Sequence, residues 1–199
     1  MDALVVGLGN PGPRYAATRH NVGFEIVRAL ARRHGIALDS LRYEAQFGTG
    51  AAAGRELALL LPQTFMNDSG RAVASALAEL PGVDPARGLV VVYDELDLPF
   101  GRLRLRPRGG SGGQRGMASI IEALGSEEFA RLRFGIGRPG EEGGGAVDRV
   151  LAPFDEAERA ALAERIDRAV DAIEHVLAHG IAVAMDRYNR PDPPPAAAI

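Results

Sequence analysis

The chain has 199 residues, 46% of them hydrophobic, enough to bury the core of one medium-sized domain. It contains no cysteine, which excludes disulfides, thiolate nucleophiles and cysteine-based zinc or iron–sulfur centres, and no lysine, which excludes the phosphate-gripping lysine of an ordinary P-loop. The net charge of −3 conceals a partition: residues 1–100 hold nine Arg against eleven carboxylates, residues 101–138 eight against three, and residues 139–199 six against twelve, so the middle segment alone is basic.

Ala3 to Leu8 is a short apolar run ending in glycine, the pattern of a buried strand, and a loop rich in Gly, Pro and polar groups follows it. From Val22 to His34 the apolar residues Val22, Phe24, Ile26, Val27, Leu30 and Ala31 leave a charged face at Glu25, Arg28, Arg32 and Arg33, which predicts a helix stopped by Gly35. Residues 46–53 and 57–61 read as two strands joined by a tight turn at Gly54, the second ended by Pro62. Gly70 to Leu80 reads as a helix with Asn67, Asp68 or Ser69 as its cap. LVVVY at 89–93 is apolar throughout, as a central strand covered on both faces would be. The alternation RLRLR at 102–106 predicts a strand with one apolar and one arginine face. The glycine loop RGGSGGQRG leads to a helix near Met117–Leu124, LRFGIG at 132–137 is a further strand, and Leu162, Ile166, Val170, Ile173 and Leu177 mark a long amphipathic helix. The expectation is a single α/β domain over residues 1–190, a mixed, mostly parallel twisted sheet flanked by helices, with a disordered tail at 191–199.

Ligands of open α/β sheets collect beyond the carboxyl ends of the strands, so the polar residues there are the first candidates for chemistry. The first strand runs into Gly9-Asn10-Pro11-Gly12 and on through Tyr15 to Thr18-Arg19-His20-Asn21; the central strand runs into Asp94-Glu95-Leu96-Asp97. If these strands are neighbours, His20 and Asp94 meet, and a carboxylate bonded to one imidazole nitrogen fixes the tautomer with which the other accepts a proton from water. Spacing alone favours Asp94 as a cap or turn residue and His20 as an ordinary polar loop residue.

Four strings together are more specific: GLGNPGPRYAATRHNVGF, LLPQTFMNDSGRAV, YDELDLPFG and the glycine-rich stretch through Phe134-Gly135-Ile136-Gly137-Arg138-Pro139. In order and spacing they resemble the bacterial peptidyl-tRNA hydrolases, over nearly the whole chain. The resemblance implies an enzyme that cuts the ester between a peptide and the 3′ end of tRNA, with His20 as general base, Asp94 holding its basic form, and water as nucleophile. It implies that Asn10 contacts the peptide near its blocked amino end, that Asn67 binds substrate and helps orient water or the oxyanion, and that Phe65 and Tyr15 line the tRNA-end contacts. No cofactor or metal is implied. One segment departs from the pattern: where the family usually reads His-Asn-Gly, this chain reads Gln114-Arg115-Gly116. Arg115 is expected to grip phosphate or ribose, because a guanidinium can replace an amide as donor but not as acceptor. The tRNA backbone is expected on the basic segment 101–138, with Arg102, Arg106 and Arg108 as contacts.

Other motifs compete. Gly7-Leu8-Gly9-Asn10-Pro11-Gly12 fits the dinucleotide fingerprint, but Pro11 and Pro13 delay the helix that should follow. Gly109-Gly110-Ser111-Gly112-Gly113 fits a nucleophile elbow, with Ser111 followed by Asp148 or Asp155 and by His175 or His179, yet the preceding strand is half arginine. A non-catalytic RNA-binding relative is the remaining alternative. His175 and His179, four apart, lack an adjacent third metal ligand, and His34 before Gly35 suits a helix C-terminus. With no basic leader and no apolar run of roughly 20 residues, a cytoplasmic, monomeric protein without membrane contact is expected.

Overall fold

A computed structural model describes residues 1–138 and 145–190. Pro139 and the tail 191–199 therefore lie outside the described residues. The elements, in chain order, are β1 (Ala3–Gly7), α1 (Val22–Arg33), β2 (Ser40–Arg42), β3 (Ala45–Ala52), β4 (Arg55–Pro62), α2 (Ser69–Glu79), α3 (Pro85–Gly88), β5 (Leu89–Glu95), β6 (Leu103–Arg106), α4 (Arg115–Leu124), β7 (Ala130–Gly135), α5 (Ala146–Leu151), α6 (Glu156–His179) and α7 (Ile181–Tyr188). Short 3₁₀ turns at Arg19–Asn21 and Met66–Asp68 lead into α1 and α2.

The seven strands form one sheet in the order β2-β3-β4-β1-β5-β7-β6. Its centre, β4-β1-β5-β7, is parallel, and β3 and β6 are the two strands that run against it. Alternation along the strands sorts two cores. Val5, Leu57, Leu59, Val90, Val92, Leu132 and Phe134 face α1 and α6. Leu4, Val6, Leu60, Val91 and Tyr93 face the opposite layer with Met117 and Ile120 of α4 and Val73 of α2. Because both faces of the central strands are covered, they read as continuous apolar runs, as LVVVY does.

The chain leaves β1 toward β4 through α1 and later returns to β1's other side as β5. The crevice between β1 and β5 is thus the sheet's switch point, where ligands of open α/β sheets bind. Close packing fixes α1 over it: a side chain at Gly23 would run into the Val92 carbonyl and lie 2.6 Å from the Leu8 carbonyl, so glycine alone lets the helix start this near the strand ends.

Several expectations need correction in detail. None of Asn67, Asp68 and Ser69 caps α2 through its side chain; Asp68 takes the cap position without such a bond, and Ser69 Oγ instead donates to the Met66 carbonyl at 2.9 Å. β5 continues through Asp94 and Glu95. The strand β2 and the helices α3, α5 and α7 add to the elements expected from periodicity.

Candidate active site

Three strand ends converge at the switch point. The loop after β1 carries Asn10, Tyr15 and His20; the loop after β4 carries Phe65, Met66 and Asn67; the end of β5 carries Asp94. His20 Nδ1 lies 2.8 Å from Asp94 Oδ2, so the pair inferred from strand order is formed. The Asp94 side chain is 2% exposed and that of His20 12%, leaving one edge of the imidazole facing a cleft. Since a carboxylate only accepts, Nδ1 carries the proton and donates it, and Nε2 is left as the basic nitrogen.

The turn that presents His20 is fastened on both sides. Arg19, buried, donates through its backbone to the Ala152 carbonyl at 3.0 Å and through its guanidinium to the Pro153 carbonyl and to Glu158, while packing over the Phe154 ring. Glu158 is shared with Arg149, which also donates to the Ile136 carbonyl at 2.7 Å. On the other side, the Asn21 side chain accepts from the Asn10 N–H at 2.8 Å and donates to the Asn10 carbonyl at 2.9 Å.

Asn10 is itself oriented. Its Oδ1 accepts the Met66 N–H at 2.8 Å, which leaves its NH2 as the group free to act. Asn67 is exposed on the 3₁₀ turn after Phe65, and among the described residues its amide has no hydrogen-bond partner.

The cleft has two lobes that share His20, Arg115, Val147 and Val150. One, of about 310 Å³, is lined by Asp94, Glu95, Asp97, Gly112, Gly113 and Gln114. The other, of about 230 Å³, is lined by Asn10, Tyr15, Phe65, Met66, Asn67 and Leu151. Phe65 is 61% and Val147 60% exposed, an apolar rim of the kind on which a base or an apolar side chain stacks. All the predicted site residues therefore line one cleft. The sequence did not point to Gln114 as a neighbour of Asp94, to Asn21 as the brace of Asn10, or to Val147 and Val150. Their signals are weak: α5 is six residues long and shows no usable periodicity.

Of the basic segment, Arg131 is buried with its guanidinium spent on the carbonyls of Gly109, Gly110, Glu127 and Phe129. Arg133 pairs with Glu95, Arg138 with Asp97 and Arg108 with Glu128, and Arg102 donates to the Asn189 carbonyl at 2.6 Å. Arg104, Arg106 and Arg115 make no ion pair among the described residues. Arg104 and Arg106 stand opposite Arg133 and Arg131 in the β6–β7 ladder.

The rival sites are not assembled. Among the described residues Ser111 Oγ is met only by the Gly113 N–H at 3.4 Å, Asp148 accepts the Gly145 N–H at the start of α5, and Asp155 accepts the Glu158 N–H in the box that starts α6. His175 and His179 pack against each other with their rings tilted by 59°, 4.5 Å between ring centres, and no group of three metal ligands exists among the described residues. His34 sits at the end of α1 and its ring meets Glu174 at 2.7 Å. The helix expected of a dinucleotide fingerprint starts only at Val22. Among the described residues no helix is long and apolar enough to cross a membrane.

A family model described as peptidyl-tRNA hydrolase matches residues 4–195. The chain is 52% identical over 186 residues to a peptidyl-tRNA hydrolase of Herpetosiphon aurantiacus, covering 94% of this chain and 89% of that protein. It is 51% identical to one of Chloroflexus aggregans, covering 94% and 98%. A crystal structure of peptidyl-tRNA hydrolase from Acinetobacter baumannii superposes with a TM-score of 0.86 at 36% identity, covering 94% of each chain.

Proposed function

Because this chain belongs to the peptidyl-tRNA hydrolase family, we propose that His20 and Asp94 carry its reaction, the hydrolysis of the ester joining a peptide to the 3′ end of tRNA. The 2.8 Å contact between His20 Nδ1 and a buried Asp94 is the observation that supports this assignment. Water seated between Nε2 and the ester carbonyl gives its proton to Nε2 as its oxygen bonds to the carbonyl carbon. The tetrahedral intermediate then collapses, the bond to the ribose oxygen breaks, and the imidazolium returns the proton to that oxygen, leaving a peptide acid and a free tRNA terminus. Asp94 steadies the imidazolium between the two transfers. A purely RNA-binding protein has no need of a carboxylate buried behind an exposed imidazole edge, which favours the hydrolytic role.

The free NH2 of Asn10 supports its place at the blocked amino end of the peptide. An acylated amine offers a carbonyl to accept that donor, whereas a free α-ammonium brings only further N–H donors. Asn67 donates to the developing oxyanion without adding charge beside it. Phe65 and Tyr15 offer faces for the terminal base, and Arg115, where the two lobes meet, grips phosphate or ribose. The phosphate backbone tracks the arginine face of β6. A substrate made by translation supports a cytoplasmic location.

Single-turnover hydrolysis of an N-blocked aminoacyl-tRNA tests the assignment. His20→Ala, folded, should lose roughly 10²–10⁴-fold in rate. Asp94→Ala should lose less, since it orients the base without touching the proton in flight. Wild-type turnover by folded His20→Ala would end the assignment.

A further inference from the structure

We infer that Gln114 is a positioning residue for the His20–Asp94 pair, holding the second oxygen of the Asp94 carboxylate while its own amide is locked in orientation by the start of α4. This rests on the reading that His20 and Asp94 perform the chemistry.

The local geometry allows the amide one useful orientation. Gln114 is the N-cap of α4, and its side-chain oxygen accepts the Met117 N–H at 2.8 Å. A backbone N–H can only donate, so that side of the amide must be Oε1 and the NH2 must face the other way. There it meets Asp94 Oδ1 at 3.2 Å and Met66 Sδ at 3.3 Å. Asp94 is thus held by two donors, His20 on Oδ2 and Gln114 on Oδ1. At 2% exposure its side chain has little access to water, and losing the second donor leaves a carboxylate oxygen unsatisfied or free to swing away from the imidazole.

The residue type matters as much as the contact. A neutral amide satisfies the carboxylate without neutralising it, so the full negative charge remains for the imidazolium; a cation on Oδ1 would compete for that charge. Arg115, the next residue, lines both lobes and is not bonded to Asp94. The other charged groups facing this part of the cleft are Glu95, taken up by Arg133, and Asp97, taken up by Arg138. In this position the resembling family usually has His; Gln supplies a donor that does not titrate.

Gln114→Glu separates the two jobs of the side chain. A glutamate keeps an acceptor for the Met117 N–H, so α4 remains capped. It also places a carboxylate against Asp94, which stabilises the imidazolium. In steady-state hydrolysis of an N-blocked aminoacyl-tRNA, kcat at pH 7 should fall about tenfold with little change in KM. The acid limb of the kcat profile should move to higher pH by about one unit, because added negative charge keeps His20 protonated longer. Gln114→His, which restores a ring N–H donor, should recover most of the rate near neutral pH. An unshifted acid limb in Gln114→Glu overturns the proposal, whether activity is retained or falls in step with Tm, because the side chain is then only a cap. If His20→Ala is inactive in the same assay, that result leaves the assignment of the base intact; if His20→Ala turns over normally, both fall.

Discussion

At the scale of single residues, the proposed selectivity for a blocked amino end comes down to which end of an amide is free. Asn10 spends its oxygen on Met66 and keeps only a donor for substrate. Asn10→Asp preserves the bond to the Met66 N–H but replaces the donor by a second acceptor. It should weaken the preference for blocked over free aminoacyl-tRNA by roughly 10–10²-fold, since the carboxylate repels an acyl carbonyl and welcomes an ammonium. Comparing kcat/KM for the two substrates at fixed salt checks this, and an unchanged ratio would move recognition of the amino end elsewhere. His20 and Asp94 became candidates because each lies beyond an apolar run that reads as a buried strand, and the family resemblance singled them out from the other polar residues there. The support around them was not. Gln114 is twenty positions from Asp94, in a glycine loop whose path no periodicity dictates, and the link between them exists only once β5 and α4 are laid side by side.

At the scale of elements, apolar runs announced β1, β5 and β7 and the 3.6-residue period announced α1 and α6, because burial on both faces or on one face writes itself into composition. Short or exposed elements escaped. β2 is three residues, none of them buried, and its hairpin to β3 turns through Tyr43 and Glu44, both at positive φ, without the Asn or Gly that usually signals such a turn. The hairpin between β3 and β4 was visible through its Gly54. The junction of α1 with β1 and β5 carries the next expectation. Gly23→Ala forces a methyl against the carbonyls of Val92 and Leu8, backbone atoms that cannot step aside. It should cost about 1–3 kcal/mol in urea unfolding. Because the turn bearing His20 leads directly into α1, turnover should drop in protein that is still fully folded; full activity would show that the helix start adjusts without disturbing the base.

For the molecule as a whole, net charge misleads and distribution informs. Outside the cleft, where Arg115 lies, the half-exposed Arg104 and Arg106 and the exposed Arg108, 3.5 Å from Glu128, remain as candidates for phosphate once Arg131 and Arg133 are discounted as structural, Arg102 as bonded to Asn189 and Arg138 as paired with Asp97. The sequence alone could not make this distinction, since alternation places all the arginines of β6 and β7 on one face and says nothing of which are spent. Replacing Arg104, Arg106 and Arg108 together should weaken tRNA binding and flatten its salt dependence, with the slope of log K against log salt falling by on the order of one for each phosphate no longer neutralised. Titrations at several salt concentrations decide it; an unchanged slope would put the tRNA on another face.

The clamp on the His20 turn also orders events in time. His20 lies between β1 and α1, yet part of what fastens its turn, the Ala152 and Pro153 carbonyls and Glu158, comes after α5 in the sequence. During synthesis the parallel centre of the sheet has all its strands once β7 has emerged, when the turn carrying His20 can close on Asn10 and Asp94 but not yet on the contacts that follow α5. That side of the turn is therefore fastened only after residues up to Glu158 have been synthesised, later than every strand of the sheet.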